Sequence, residues 1–254
     1  MKEEAILPML LKHLRLPTMS RLWEDLNKEA IQQGWSPARY LAALCEHELA
    51  DRDNRRLTRR MSEADLPRGK TLATFDFGAV PSLNKTQLGA FASGNVWLEN
   101  GSNVLIFGPS GVGKTHLAAA IGEKLVEAGY RVFFSRTTDL VQKLQLAKRE
   151  CLLPSAIEKL DKYDCLILDD FGYVQKDQAE THVLFELICE RYESKSLLIT
   201  CNQAFSEWDK IFVDKTMAIA AVDRLIHHAT IFELNVESYR KRAALTRANK
   251  EGKE

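Results

Sequence analysis

Gly108-Pro109-Ser110-Gly111-Val112-Gly113-Lys114-Thr115 fits the pattern G-x-x-x-x-G-K-[ST]. The chemistry of phosphate binding needs these residue types. Glycines let successive backbone N–H groups turn inward around phosphate oxygens, Lys114 adds a positive charge, and Thr115 offers a hydroxyl to Mg²⁺. The flanks agree. Asn103-Val104-Leu105-Ile106-Phe107 ahead of the loop is an apolar strand-type run, and Thr115–Ala128 behind it is amphipathic at helical spacing. The loop therefore lies between a strand and a helix N-terminus, where a phosphate site has to be. Gly108, Pro109, Ser110, Gly111, Val112, Gly113, Lys114, Thr115 and His116 are the candidate nucleotide contacts, with ATP and Mg²⁺ as the implied ligands.

Downstream, Cys165-Leu166-Ile167-Leu168-Asp169-Asp170 is a buried-type strand ending in two carboxylates. Alone it would read equally as a run that ends in a turn or helix cap. Below a phosphate loop it gains chemistry: Asp169 to hold Mg²⁺, through water, and Asp170 to orient or deprotonate the attacking water. One further apolar run, Arg131–Ser135, intervenes between the loop strand and this one. That spacing points to the branch of phosphate-loop proteins that hydrolyse ATP instead of phosphorylating a small molecule. Leu197–Thr200 ends beside Asn202, which can reach the γ-phosphate or its water, or can equally be a turn residue.

With Thr230–Leu234 these runs make five candidate strands, separated by helical stretches at Thr115–Ala128, Asp139–Lys148 and Gln178–Glu193. The strands are almost continuously apolar, as expected when helices cover both faces of a parallel sheet. The fold class is α/β with a five-stranded parallel sheet. Ahead of it, residues 1–65 read as a small all-α domain, with apolar residues at helical spacing from Ile6 to Leu14 and again from Leu22 to Ala30. Ser36-Pro37 starts another helix. Residues 66–95, with Pro67, Gly69, Gly78 and Pro81, read as a linker in which Phe75 and Phe77 pack on the next domain. Residues 96–254 form the α/β domain with a short helical tail.

Bulk composition narrows the partners. Among 254 residues, 45% are apolar and 28% charged, and the formal net charge is +0, so attraction to nucleic acid must come from local patches. Cys45, Cys151, Cys165, Cys189 and Cys201 show no CxxC spacing and read as thiols in a reducing compartment. No apolar run approaches the roughly 18 residues of a membrane span, and no signal-peptide core is visible. The expectation is a cytoplasmic protein.

At this point a wider set of motifs carries a resemblance. NVLIFGPSGVGKTHLAAAIGEKLVEAG, CLILDDFGY, LLITCNQAFSEW, AAVDRL and ESYRKR occur in that order, after LPTMSRLWEDL near the start. Together they resemble the AAA+ ATPases of the IstB/DnaC group, and most closely the IstB helpers of insertion-sequence transposition. The resemblance implies an AAA+ core in which Lys114 and Thr115 are the Walker A pair and Asp169 and Asp170 the Walker B pair. It implies that Asn202 is the sensor 1 residue, Arg224 an arginine finger reaching a neighbouring subunit's site, and Arg240 the sensor 2 arginine. From the residues alone, each arginine reads first as a solvated surface charge. The family motif usually has T-S-N where this chain has Thr200-Cys201-Asn202, and Asp170 stands where many other AAA+ proteins carry Glu. Neither change implies inactivation.

The same resemblance implies a homo-oligomer with ATP at subunit interfaces. It would bind double-stranded DNA nonspecifically and deliver it to a transposase, with hydrolysis regulating release. Arg52, Arg55, Arg56, Arg59 and Arg60 share one broad helix face, and Lys143, Lys148, Arg149 and the tail 241–253 are further candidates for phosphate contacts. The arginine face reads equally as a solvated helix end. The competing reading is a loader of a replicative helicase, as in DnaC or DnaI. Some loaders carry an N-terminal zinc module, but Cys45, His13 and His47 cannot complete four ligands. A small-molecule kinase would leave the DRL and SYR motifs unexplained.

Overall fold

The computed structural model describes residues 2–93, 95–172, 178–203, 207–208 and 211–236. The chain divides into two compact units, Met1–Arg59 and Arg60–Glu254.

The first unit is helical: α1 (Lys2–His13), α2 (Pro17–Gln33) and the start of α3 (Pro37–Glu63). Pro17 opens α2, where its missing N–H costs nothing, and Gly34 closes it with φ 64, its N–H on the carbonyls of Ala30 and Ile31. Ser36 Oγ accepts from the Arg39 N–H at 3.2 Å and so caps α3. Met19, Leu26 and Leu44 form a small core with Leu22, Trp23 and Tyr40 around them.

Leu16 cannot cap α2 with its side chain. Glu48, on α3 and 2% exposed, does so instead, accepting from the N–H groups of Thr18 (2.8 Å) and Met19 (3.1 Å). Arg52 (3.1 Å) and Arg55 (3.5 Å) balance its charge. Glu48→Ala would strand two helix N–H groups and should destabilise this unit by about 2–3 kcal/mol, the cost of leaving buried donors unpaired. Urea denaturation of the full chain followed by circular dichroism would show an earlier first transition; an unchanged curve would remove Glu48 from this role.

These contacts also engage part of the arginine face. Arg52 and Arg55 are engaged with Glu48, and Arg55 also pairs with Asp51 at 3.0 Å. Arg60 donates to the Gly129 carbonyl. They hold the protein's own helices together.

In the second unit, α4 (Lys85–Ala92) and α5 (Asn95–Glu99) precede the sheet. The sheet elements are β1 (Asn103–Phe107), β2 (Val132–Arg136), β3 (Cys165–Asp169), β4 (Ser196–Cys201) and β5 (Ala229–Glu233). Their spatial order is β2-β3-β4-β1-β5, with every pairing parallel. The crossovers are α6 (Lys114–Glu127), α7 (Thr137–Arg149), α8 (Leu153–Leu160), α9 (Gln178–Arg191) and α10 (Lys215–Ile226).

Side chains alternate between two cores with the strand period of two. Val104, Ile106, Cys165, Ile167 and Leu198 join Leu117 and Ile121 of α6 on one face. Leu105, Phe107, Leu166, Leu168, Leu197 and Ile199 meet residues of α7, α8, α9 and α10 on the other. Burial on both faces is why the strands read as unbroken apolar runs.

The stretch 66–95 corrects the linker expectation. Leu72, Phe75, Val80, Leu88 and Ala92 are buried in the α6-side core, so these residues belong to the second unit. The end of α3 belongs there too, since Ala64 accepts the Phe134 N–H of β2 at 2.8 Å. Among the described residues no helix is long and apolar enough to cross a membrane.

Candidate nucleotide-binding site

β1 delivers the chain into the loop 108–113. Gly108 has φ 151, and a Cβ there would lie 2.6 Å from the Leu234 carbonyl oxygen. Gly113 has φ 104, and its Cβ would crowd the Phe75 ring at 3.2 Å. Both positions demand glycine for conformation and for space. Gly113 is also the N-cap of α6 and brings no side chain to it, so the first N–H groups of α6 stay available to an anion. Lys114, only 6% exposed, holds its ammonium at the loop by donating to the carbonyls of Gly108 (2.7 Å) and Pro109 (2.9 Å).

β3 and β4 bring up the acids. The order places β4 between the loop strand and the carboxylate strand, so the tips of all three lie side by side. Thr200 organises this edge. Its hydroxyl donates to Asp169 Oδ1 at 2.6 Å and accepts the Asp170 N–H at 3.0 Å, while its carbonyl accepts the Phe171 N–H at 2.9 Å. Asp169 is 3% exposed, and burial pushes its carboxyl above the usual carboxylate range. The neighbouring Asp170 adds to that rise; the hydroxyls of Thr200 and Thr115 and the charge of Lys70 oppose it. Asp170 itself is exposed and left-handed, at φ 56.

A cavity of about 880 Å³ joins these parts. Ser110 to His116, Asp170 and Asn202 all line it, so the structure brings those predicted residues together. Gly108, Pro109 and Asp169 do not line the cavity themselves; the first two accept from Lys114, and Asp169 accepts from Thr200. Sequence reasoning missed a wall formed by Gly69, Lys70, Thr74, Phe75, Asp76, Ala79 and Val80. His116 anchors that wall: its Nε2 lies 3.0 Å from the Thr71 carbonyl and 3.1 Å from Thr74 Oγ1, and its ring meets Phe75 edge-on at 5.3 Å. Arg136 and Thr138 were missed too. Arg136 sits at the C-terminal tip of β2, opposite Asp169, the edge where ligands of open parallel sheets collect.

The donor set fits the implied ligands. The glycine cradle, the helix N-terminus and Lys114 suit phosphate oxygens, and a hydroxyl bonded to a carboxylate suits a hard divalent cation. Arg224 lies elsewhere. Its Nη1 donates to the Ala220 carbonyl at 2.9 Å, and its guanidinium rests over Phe185 (5.5 Å), midway along α9, and Tyr192 (5.9 Å), just past its end. Arg240 and the tail 241–253 lie outside the described residues.

The family profile of the IstB-like ATP binding proteins matches residues 9–247, covering both units. The chain belongs to this family. An insertion-sequence ATP-binding protein of Sinorhizobium fredii is 60% identical over 96% of this chain and 82% of its own length. The IS21 insertion-sequence ATP-binding protein of Pseudomonas aeruginosa is 36% identical over 92% of this chain and 88% of its own. Among solved structures, the DnaC helicase loader superposes with a TM-score of 0.56 at 22% identity, covering 67% of this chain and 98% of that one. AMPPCP-bound DnaA from Aquifex aeolicus gives 0.55 at 21% identity, covering 67% of this chain and 51% of that one. At such identities the likeness speaks for the fold, which is the AAA+ core preceded in this IstB-like chain by a helical region.

Proposed function

We propose that this chain is a cytoplasmic, ATP-hydrolysing helper of insertion-sequence transposition that assembles on duplex DNA and delivers it to a transposase. The observation that carries the reading is the single cavity shared by the loop, Lys114, Thr115, Asp170 and Asn202, in a chain whose insertion-sequence relatives match it nearly end to end. The loop N–H groups and Lys114 bind the phosphates. Thr115 and Asp169 would hold Mg²⁺, which would neutralise charge on the phosphate oxygens. Asp170 orients the attacking water and takes its proton, and Asn202 positions the γ-phosphate or that water.

Arg224 lies away from its own cavity, which suits a group acting in the site of a neighbouring copy. Arg52 and Arg55 are engaged with Glu48, and Lys148 with Glu186 and His182; Arg56, Arg59, Lys143, Arg149 and the basic tail are the leading DNA candidates. Binding through such cations would weaken steeply with salt and show little sequence preference.

Gel filtration with ATP and duplex DNA tests this directly. The expected result is a shift to a large nucleoprotein species that needs both ligands; an unchanged monomer under all conditions would overturn it. A pull-down against transposase and replicative helicase distinguishes delivery to the former from loading of the latter.

A further inference from the structure

Away from the nucleotide cavity, α9 and α10 end at the same place. Glu193 follows the last residues of α9, His227 is the C-cap of α10, and His228 comes next. One ligand atom from each of the three lies within 4.8 Å of the others. Glu193 Oε1 is 3.7 Å from His227 Nδ1 and 3.9 Å from His228 Nε2, and the two imidazole centroids are 4.0 Å apart. In a tetrahedral site with bonds of about 2.0–2.2 Å, donor atoms sit about 3.3–3.6 Å apart. The two distances to Glu193 are within a few tenths of an ångström of that spacing, and rotation of these half-exposed side chains would bring the imidazole nitrogens, which lie within 4.8 Å of each other, to it as well.

Three further observations point the same way. Glu193 is held left-handed at φ 56, and its backbone packs so tightly on Gly101 that a Cβ there would lie 2.9 Å from the Glu193 carbonyl carbon. Strain of this kind persists where surrounding structure enforces it, and it concentrates at ligand sites. Tyr192 supplies an outer partner through its hydroxyl, which is hydrogen-bonded to Glu193; its 2.7 Å contact with His227 Nδ1 would give way to the metal where that nitrogen ligates. Both helices also direct their negative C-terminal ends toward the cluster, which favours a cation.

We propose that Glu193, His227 and His228 form a binding site for a divalent transition-metal cation of the Zn²⁺ class. Two imidazoles and a carboxylate are a donor set that such ions prefer over Mg²⁺ or Ca²⁺. The fourth position stays open to water. Bound metal would tie the end of α9 to the end of α10 and so fix the aromatic shelf under Arg224. This last consequence rests on the assembly reading of Arg224; metal binding does not.

The test uses the full chain without nucleotide, because triphosphates chelate metal. In competition with a chromophoric chelator, the wild type should bind Zn²⁺ at one site, and His228→Ala and Glu193→Gln should each weaken it at least about tenfold. Independently of any variant, Co²⁺ bound to the wild type should show visible bands of nitrogen and oxygen ligation without the near-ultraviolet band of thiolate. Equal Zn²⁺ affinity in both variants, or a thiolate spectrum pointing to the cysteines, would overturn the site. With Mg²⁺-ATP and DNA present, Zn²⁺ should change ATPase activity in the wild type and not in Glu193→Gln; no change would remove the coupling to Arg224. A wild type without DNA-stimulated ATPase in the absence of Zn²⁺ would instead count against the proposed function.

Discussion

Arg224→Ala should lower the ATPase rate of the assembled protein by about 10³–10⁵-fold, the range seen for trans arginines, while leaving ATP affinity of the single subunit unchanged. The second half of that expectation comes from position. Arg224 rests on Phe185 and Tyr192 and does not line its own cavity, so its loss subtracts nothing from nucleotide binding there. Its role would appear only when a neighbour's γ-phosphate develops charge in the transition state. Mixing gives a sharper readout. Arg224→Ala subunits retain a complete catalytic edge, and Asp170→Asn subunits retain the finger, so mixed assemblies should recover activity that neither variant shows alone. Failure of mixing to restore turnover, or a wild-type rate in Arg224→Ala assemblies, would contradict a trans role.

Asp170→Asn should reduce turnover by about 10²–10⁴-fold, the usual contribution of a positioned general base. ATP should still bind, because the loop and Lys114 are untouched. The substitution is clean for a backbone reason. Position 170 is held at φ 56, and asparagine tolerates the left-handed region as well as aspartate does. The Asp170 N–H would keep its bond to Thr200, so only the charge and the proton acceptor are removed. With hydrolysis blocked, the variant should accumulate as a DNA-bound assembly, visible as a slowly dissociating species in a filter-binding time course. Wild-type turnover would take Asp170 out of the chemistry.

The phosphate loop and all five strands were legible because their physics is local. A glycine pattern reports a cradle, and burial on both faces turns a strand into an unbroken apolar run. The strand order was not legible, since no spacing says that β4 inserts between β1 and β3. The segment 66–95 misled for a physical reason. Its prolines and glycines signal turns, while Leu72, Phe75 and Val80 enter the core one at a time, without a period. The wall it forms, with Lys70, Thr74 and Asp76, therefore carried no signal in advance. Arg136 could have been found by asking what stands at the C-terminal tip of each strand. The partners of the α3 arginine face were not legible either, because Glu48 and Asp51, which engage Arg52 and Arg55, do not declare from sequence that they point the same way. Glu193 and the His227–His228 pair are distant in sequence and meet only because two helices end together.

Isothermal titration of the purified chain with ATP and Mg²⁺ tests the central claim, that one triphosphate and its metal bind between the glycine loop and the paired aspartates. Saturable heat at one nucleotide per chain, lost in Lys114→Ala, is the predicted result. A flat titration of the folded wild type would contradict it.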